Sequence, residues 1–426
     1  MREFWEKTKK TLKTLGPGFI TGSADDDPSG IATYSIAGAQ FGFNLSFLSW
    51  FLVPLMISIQ EACARIGMVS GMGLAGVLKK YYSRKLLIFT VVSLLIANII
   101  NIGADLGVMA ASLQMVFGRS FLYWLIAITL LTIAAEIFIP YKTYAVFLRI
   151  FGFFLLVYII TSFLAVNDWV YVIKESITPH LILSKDYLMT AVGFLGTTIS
   201  PYLFFWQASE EVEEEILKGK LRDFGINKPK MSGREIKTMR KDTEIGMIFS
   251  NLITFFIVTT TAVTLNKNGI LNIETPQQAA LALKPLAGDL TYLLFAVGII
   301  GIGLQAVPVL AGGVAYAVSE TFGFKEGLFQ SFNRAKIFYL TIAVSTIIGF
   351  LINLLNINSM RALYYSAIIN GIIAVPLIFI IMRLADDKRV VGVYKSPWKI
   401  KFFGWFTFFL MFIAALLMII FLLGLL

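Results

Sequence analysis

Apolar runs, most of them close to the roughly 20 residues that span hydrocarbon, alternate with short polar connectors along almost the whole chain. Eleven are predicted as helices, over residues 17–41, 45–67, 86–113, 121–139, 144–165, 188–209, 243–265, 288–318, 336–354, 362–382 and 402–425. Two differ from the rest. The first is interrupted by Asp25-Asp26-Asp27-Pro28-Ser29-Gly30, and the sixth by Thr197-Thr198-Ile199-Ser200-Pro201-Tyr202. Proline has no N–H to donate and disfavours helical geometry in the residue before it. Pro28 and Pro201 therefore free backbone carbonyls near Ala24 and Thr197. Lipid offers such groups no partner, so a break at membrane depth survives only inside protein or beside a wet cavity.

The breaks fall in the first and sixth of eleven spans, at equivalent places in two five-helix units. These units are residues 17–165 and 188–382, with 402–425 as an additional helix, and no soluble domain is expected. An odd number of spans per unit inserts the second unit upside down. An all-α membrane protein with a 5+5 inverted repeat and discontinuous helices 1 and 6 has the leucine-transporter arrangement, whose binding site lies at the breaks.

Composition agrees with this picture. Hydrophobic residues make up 57% and charged residues 15% of the 426, against about 25% charged in soluble domains; the mean hydropathy is +0.78. One cysteine, Cys63, excludes an intramolecular disulfide, and one histidine, His180, excludes a Cys/His zinc cluster. The basic N-terminus lacks the cleavage pattern of a signal peptide. The net charge of +10 is not a nucleic-acid footprint: about 29 of 36 Lys and Arg fall on the side of the N-terminus. By the positive-inside rule the N-terminus is cytoplasmic and the C-terminus extracytoplasmic, in a multi-pass plasma-membrane protein.

The breaks also carry the candidate chemistry. A half-helix ending in each break aims its negative dipole end into the cavity. Free carbonyls, hydroxyls and a carboxylate then form an oxygen-lined site suited to hard divalent cations. Asp27 is the leading ligand, faced by Ser200 and the Thr197 carbonyl. Three successive acids span more than one face, so Asp25 or Asp26 is expected to cap the second half-helix or pair with a lysine if it does not join the site. Asp105, in an otherwise apolar stretch with Asn98 and Asn101, is either an ion or proton relay or an acid held by neighbouring amides. Asn370, beside Gly371, either lines the cavity or sits in a close helix contact. Glu61 and Arg65 are spaced for an i,i+4 pair, and Glu136 for a salt bridge or interface. The stretch from Glu210 to Lys241 reads as a cytoplasmic loop whose opening acids, Glu210 to Glu215, extend a solvated helix with lysine partners.

Gly16-Pro17-Gly18-Phe19, Asp27-Pro28, Ala32-Thr33 and Ala37-Gly38-Ala39-Gln40-Phe41-Gly42 resemble the first helix of the natural-resistance-associated macrophage protein (Nramp) family. Gln60, Ala64-Arg65-Ile66-Gly67, Val69-Ser70-Gly71 and Leu74-Ala75 resemble its second-helix signature, and Asp105 matches its third helix. The resemblance implies a transporter of eleven helices that moves divalent metal ions. The departures concern the metal. Where the family reads Asp-Pro-Gly-Asn, this chain has Asp27-Pro28-Ser29-Gly30, and where it reads Ala-x-x-Met-Pro-His, this chain has Thr197-Thr198-Ile199-Ser200-Pro201-Tyr202. The thioether becomes a hydroxyl, the amide is lost at Gly30, the histidine becomes Tyr202, and a helix-three acid aligns with Val108.

Removing sulfur removes the preference for softer metals, and Gly30 widens the site for an ion that keeps part of its water. These changes resemble the Nramp-related magnesium transporters. The expectation is import of Mg2+, with Mn2+ as a further substrate, through Asp27, Gly30, Thr197 and Ser200, with Asp26, Asp105, Tyr202 and Asn370 beside the ion or along its path. No cofactor is expected; the partners are the transported ion and the bilayer, not nucleic acid, and a monomer is compatible with this. Proton-coupled Mn2+/Fe2+ import and an amine or amino-acid carrier of the same fold are the alternatives. An enzyme is not expected, because no nucleophile–base pair is present.

Overall fold

The computed structural model describes residues 16–139, 153–182, 184–355 and 357–423, and among these all regular structure is helical. The first apolar run folds as α1 (Pro17–Asp25) and α2 (Pro28–Phe41). There follow α3 (Phe47–Ser70), α4 (Leu74–Tyr81), α5 (Arg84–Phe117), α6 (Phe121–Phe138), α7 (Leu156–Ala165) and α8 (Trp169–Ile177). The second half comprises α9 (Lys185–Thr198), α10 (Pro201–Leu217), α11 (Gly233–Thr264), α12 (Thr291–Phe322), α13 (Lys336–Ile352), α14 (Ser359–Asp386) and α15 (Trp398–Leu422). Nine described helical stretches are long and apolar enough to cross a bilayer, α9 and α10 counting as one. The other two predicted spans are present as the α1–α2 pair and as the ten-residue α7. The basic residues Arg2 to Lys13, and residues 144–152 of the fifth run, lie outside the described residues.

Apolar side chains such as Leu130 and Leu131 on α6, Ile347 on α13, and Phe409 and Phe412 on α15 point outward. With no hydrophobic force between helices in lipid, close packing must hold the interior, and small residues at the contacts allow it. Gly246 of α11 lies so close to α1 that an added Cβ would stand 2.1 Å from the Gly18 carbonyl oxygen, and one on Gly22 would stand 2.3 Å from Gly246. Gly196 of α9 meets α14 in the same way, where an added Cβ would lie 2.2 Å from the Ala367 carbonyl oxygen.

A stripe of α11 with four-residue spacing follows α1 from end to end. Asp242 accepts hydrogen bonds from the amides of Gly16 (2.8 Å) and Gly18 (2.7 Å), satisfying donors that the start of a helix leaves open. Gly246 makes the close contact, Ser250 donates to Asp25 at 2.6 Å, and Thr254 donates to Asp26 at 3.2 Å.

The structure corrects the reading of the acidic run. Glu210 to Glu215 belong to α10 itself, and Glu210, Glu211, Glu213 and Glu215 are buried rather than solvated. Glu213 accepts from the Tyr316 hydroxyl (2.6 Å) and from the amides of Leu328 (2.6 Å) and Phe329 (3.3 Å), so it anchors the connector after α12. The lysine partners are present: Lys220 lies 3.0 Å from Glu215, and Lys218 lies 3.4 Å from Glu214 and Glu215. A capping box of Ser232 and Glu235 starts α11 earlier than hydropathy alone suggested, leaving only 218–232 outside helices. Glu61 and Arg65 form the expected pair, joined by Arg240 at 3.4 Å from Glu61. Glu136 forms no ion pair among the described residues; it is buried beside a small cavity lined by Trp206, Pro308 and Tyr339.

Because the α1–α11 contact is backbone on backbone, Gly246→Ala cannot be absorbed by a rotamer change. It is expected to destabilise the protein by about 1–3 kcal/mol, read as a lower thermal unfolding midpoint of the purified protein.

Candidate cation site at the helix breaks

Both breaks have the same local design. α1 stops at Asp26 (φ −82°, ψ 49°), Asp27 is extended (φ −61°, ψ 172°), and Pro28 opens α2. α9 stops at Ile199 (φ −113°, ψ 65°), Ser200 is extended (φ −86°, ψ 138°), and Pro201 opens α10. Proline suits the first position of a helix, where its missing N–H is not needed. Two residues of non-helical chain followed by proline therefore end one half-helix and start the next.

The carbonyls freed by the prolines are capped by hydroxyls. Tyr202 donates to the Ala24 carbonyl at 2.8 Å, across from one break to the other. Ser200 turns back along α9 and donates to the carbonyls of Gly196 and Thr197, both at 2.8 Å. Thr197 faces the first break through its side chain, with Oγ1 3.2 Å from the Ser29 hydroxyl. Tyr34 and Thr198 add a further bridge of 2.8 Å between α2 and α9.

Asp27 is the centre of this network. It caps α2, its Oδ1 accepting from the Gly30 amide at 2.7 Å and the Ser29 hydroxyl at 2.6 Å. The cap thus falls to Asp27 and not to Asp25 or Asp26. Its Oδ2 accepts from Asn101 Nδ2 at 2.8 Å, and the Tyr202 hydroxyl stands 3.3 Å away. A carboxylate offers about four lone-pair sites, so these donors take up its capacity; a cation that binds Asp27 must displace at least one. The helix N-terminus also favours the negative charge.

Gly30 sits where the two breaks approach each other closely. An added Cβ would stand 3.2 Å from the Tyr34 ring, 3.3 Å from the Asp25 carbonyl oxygen and 3.4 Å from Thr197 Oγ1. Any larger residue would project into the space that the oxygen atoms surround. Among the described residues, no three Asp, Glu, His or Cys side chains converge as a metal cage. The oxygen atoms that face one another across the breaks are those of one carboxylate, several hydroxyls and backbone carbonyls.

Asp25 and Asp26 are fully buried and turn to α11, away from Asn101 and Tyr202, and neither pairs with a lysine among the described residues. Asp105 is buried one turn beyond Asn101 on α5, and neither of its carboxylate oxygens has a hydrogen-bond partner among the described residues. The amides expected around it are engaged elsewhere: Asn98 donates to the Leu310 carbonyl and Asn101 to Asp27. Asn370 is buried with its amide nitrogen unpartnered, while the close helix contact is made by its neighbour Gly371, which lies against Val192 and Gly196.

Asn101 was not singled out from the sequence as a site residue. The structure places it at the heart of a relay in which Ser366 of α14 donates to Asn101 Oδ1 at 2.8 Å and Asn101 donates to Asp27. Its signal was spacing: Asn98, Asn101 and Asp105 recur at three and four residues and share one helix face.

The family model described as natural resistance-associated macrophage protein-like matches residues 18–421. The chain is 24% identical over 409 residues to the divalent metal cation transporter MntH of Agrobacterium fabrum, covering 93% of this chain and 84% of that protein. It is 24% identical over 408 residues to the MntH of Klebsiella pneumoniae, covering 93% and 91%. Among solved structures it resembles the manganese transporter of Eremococcus coleocola in complex with an aromatic bis-isothiourea substituted compound, with a TM-score of 0.73 and 17% identity over 98% of this chain and 87% of that one. It also resembles Mhp1, a nucleobase-cation-symport-1 family transporter, with a TM-score of 0.58 and 12% identity over 95% and 92%. These likenesses confirm the leucine-transporter architecture with its two broken helices, and the match along nearly the whole chain shows that the protein belongs to the Nramp family.

Proposed function

We propose that this protein is a secondary transporter that carries divalent metal ions into the cytoplasm, with Mg2+ as the principal ion and Mn2+ as a second substrate. The ion binds between the two breaks, at Asp27, the Thr197 and Ser200 segment and the space left by Gly30. The supporting observation is the donor set around Asp27: two hydroxyls, two amide groups and no sulfur. A hydrated cation can replace these donors with its own water molecules, and Mg2+ gives up water reluctantly. The Ala24 and Thr197 carbonyls become available as Tyr202 and Ser200 turn away. The lysine and arginine distribution orients the N-terminus to the cytoplasm. An inside-negative potential then favours import of a divalent ion by about 4.6 kcal/mol per 100 mV.

A second reading, Mn2+ import with proton symport through Asp105, is favoured by the burial of that unpartnered carboxylate and by the relatives named for manganese and divalent metal transport. Internal acidification accompanying metal uptake distinguishes it from purely electrophoretic transport.

In liposomes with an imposed inside-negative potential and no pH gradient, the protein is expected to admit both Mg2+ and Mn2+. Uptake that excludes Mg2+ while admitting Cd2+ overturns the proposal. Asp27→Ala is expected to lower Mg2+ uptake by about tenfold or more, since a charged hydrogen-bonding partner contributes about 1.5–3 kcal/mol. Tyr202→Phe leaves the Ala24 carbonyl uncapped, a loss of about 1–3 kcal/mol without metal. A bound cation restores that partner, so saturating Mg2+ is expected to raise the unfolding midpoint of Tyr202→Phe more than that of the unsubstituted protein.

A further inference from the structure

The three acids of the first break lie in opposite electrostatic surroundings. Asp27 sits at the N-terminus of α2, where a negative charge is favoured, and has several donors. Asp25 is the last residue of α1 and Asp26 its C-cap, at the negative end of that half-helix, where a carboxylate is disfavoured. Each receives one hydroxyl from α11, Ser250 to Asp25 Oδ2 and Thr254 to Asp26 Oδ1. The other oxygen of each, Asp25 Oδ1 and Asp26 Oδ2, has no partner among the described residues, although both side chains are completely buried. No basic side chain is paired with either among those residues.

Two adjacent charges of the same sign are not sustained in such a place without compensation. The divalent ion assigned to Asp27 lies on the side of α5 and α10, and Asp25 and Asp26 have no cation of their own among the described residues on the α11 side of the break. The end of a half-helix, with carbonyls that have no helical N–H to receive, is the setting in which transporters bind a coupling cation.

We infer that Asp25 and Asp26, with Ser250 and Thr254, form a second cation site that takes a monovalent metal ion of the Na+ type. The unpartnered carboxylate oxygens are the principal ligands, the two hydroxyls turn their lone pairs to the ion, and the last turn of α1 adds its dipole. Hard oxygen donors without nitrogen or sulfur suit such an ion. The site is separate from that of the divalent ion, because Ser250 and Thr254 belong to α11 while Asn101 and Tyr202 approach Asp27 from α5 and α10. The charge balance rests on the reading of Asp27 as the divalent-ion ligand, and binding is therefore tested without any divalent ion.

The full-length protein, purified and reconstituted in nanodiscs with a chelator, is titrated with NaCl against choline chloride at constant ionic strength and pH, and its unfolding midpoint is followed. Ligand that binds only the folded state raises the midpoint saturably. Na+ is expected to raise it and choline not, and Asp27→Asn should retain the Na+ response within about twofold in apparent affinity. Asp25→Asn combined with Asp26→Asn should abolish the response. Ser250→Ala and Thr254→Val, which preserve shape and charge, should each weaken it about tenfold, and they carry the test if the double variant does not fold. An equal response to choline, an unchanged response in the Asp25/Asp26 and α11 variants, or loss of the response in Asp27→Asn alone overturns the inference. Mg2+ uptake by the unsubstituted protein is a separate measurement, so failure of the divalent-ion reading is recognised independently.

Discussion

The structure depends on one requirement: a polypeptide that leaves its helix in the middle of a membrane must find new partners for its backbone. Here two prolines create the need and two hydroxyls meet it, Tyr202 reaching across to Ala24 and Ser200 folding back on Gly196 and Thr197. A hydroxyl is a well-suited cap, because it can rotate away and expose the carbonyl without leaving a charge behind. In the proposed function, the same groups that keep the breaks stable are those that surrender oxygen ligands to an ion.

This exchange gives the departures from the family pattern a physical meaning. A thioether or imidazole takes a direct place around a softer metal, whereas a network of hydroxyls and amides is close in kind to the water shell of a hard one. The absence of a side chain at Gly30 lets Tyr34, the Asp25 carbonyl and the Thr197 hydroxyl come close together. On the proposed reading, selectivity rests less on any single ligand than on how many of its own waters the ion keeps.

Much of the architecture was legible in the chain because the bilayer imposes simple rules. Span length and the two interrupted runs are consequences of lipid as a solvent, and the prolines placed both breaks within a residue or two of where they lie. Other features depended on three-dimensional neighbours. Glu213 looks like a solvent-facing acid until Tyr316 and the amides of Leu328 and Phe329 close around it. Asp25 or Asp26 was the expected cap, but Asp27, extended just before Pro28, is the residue whose side chain reaches the Gly30 amide. Asn101 carried a readable spacing, but only the approach of α5 to the break showed that it serves Asp27 rather than Asp105.

The regular stripe of Asp242, Gly246, Ser250 and Thr254 also has a mechanical consequence. It grips α1 at its first amides, at its middle and at its final acids, and Phe19 of α1 packs against Phe249 of α11 beside it. α1 and α11 are thereby yoked together over the stretch of α11 from Asp242 to Thr254. Two of the three break carboxylates are tied to α11 in this way, while Asp27 is moored to α5 through Asn101. The acid triplet is therefore a seam, where consecutive residues are stitched to different helices.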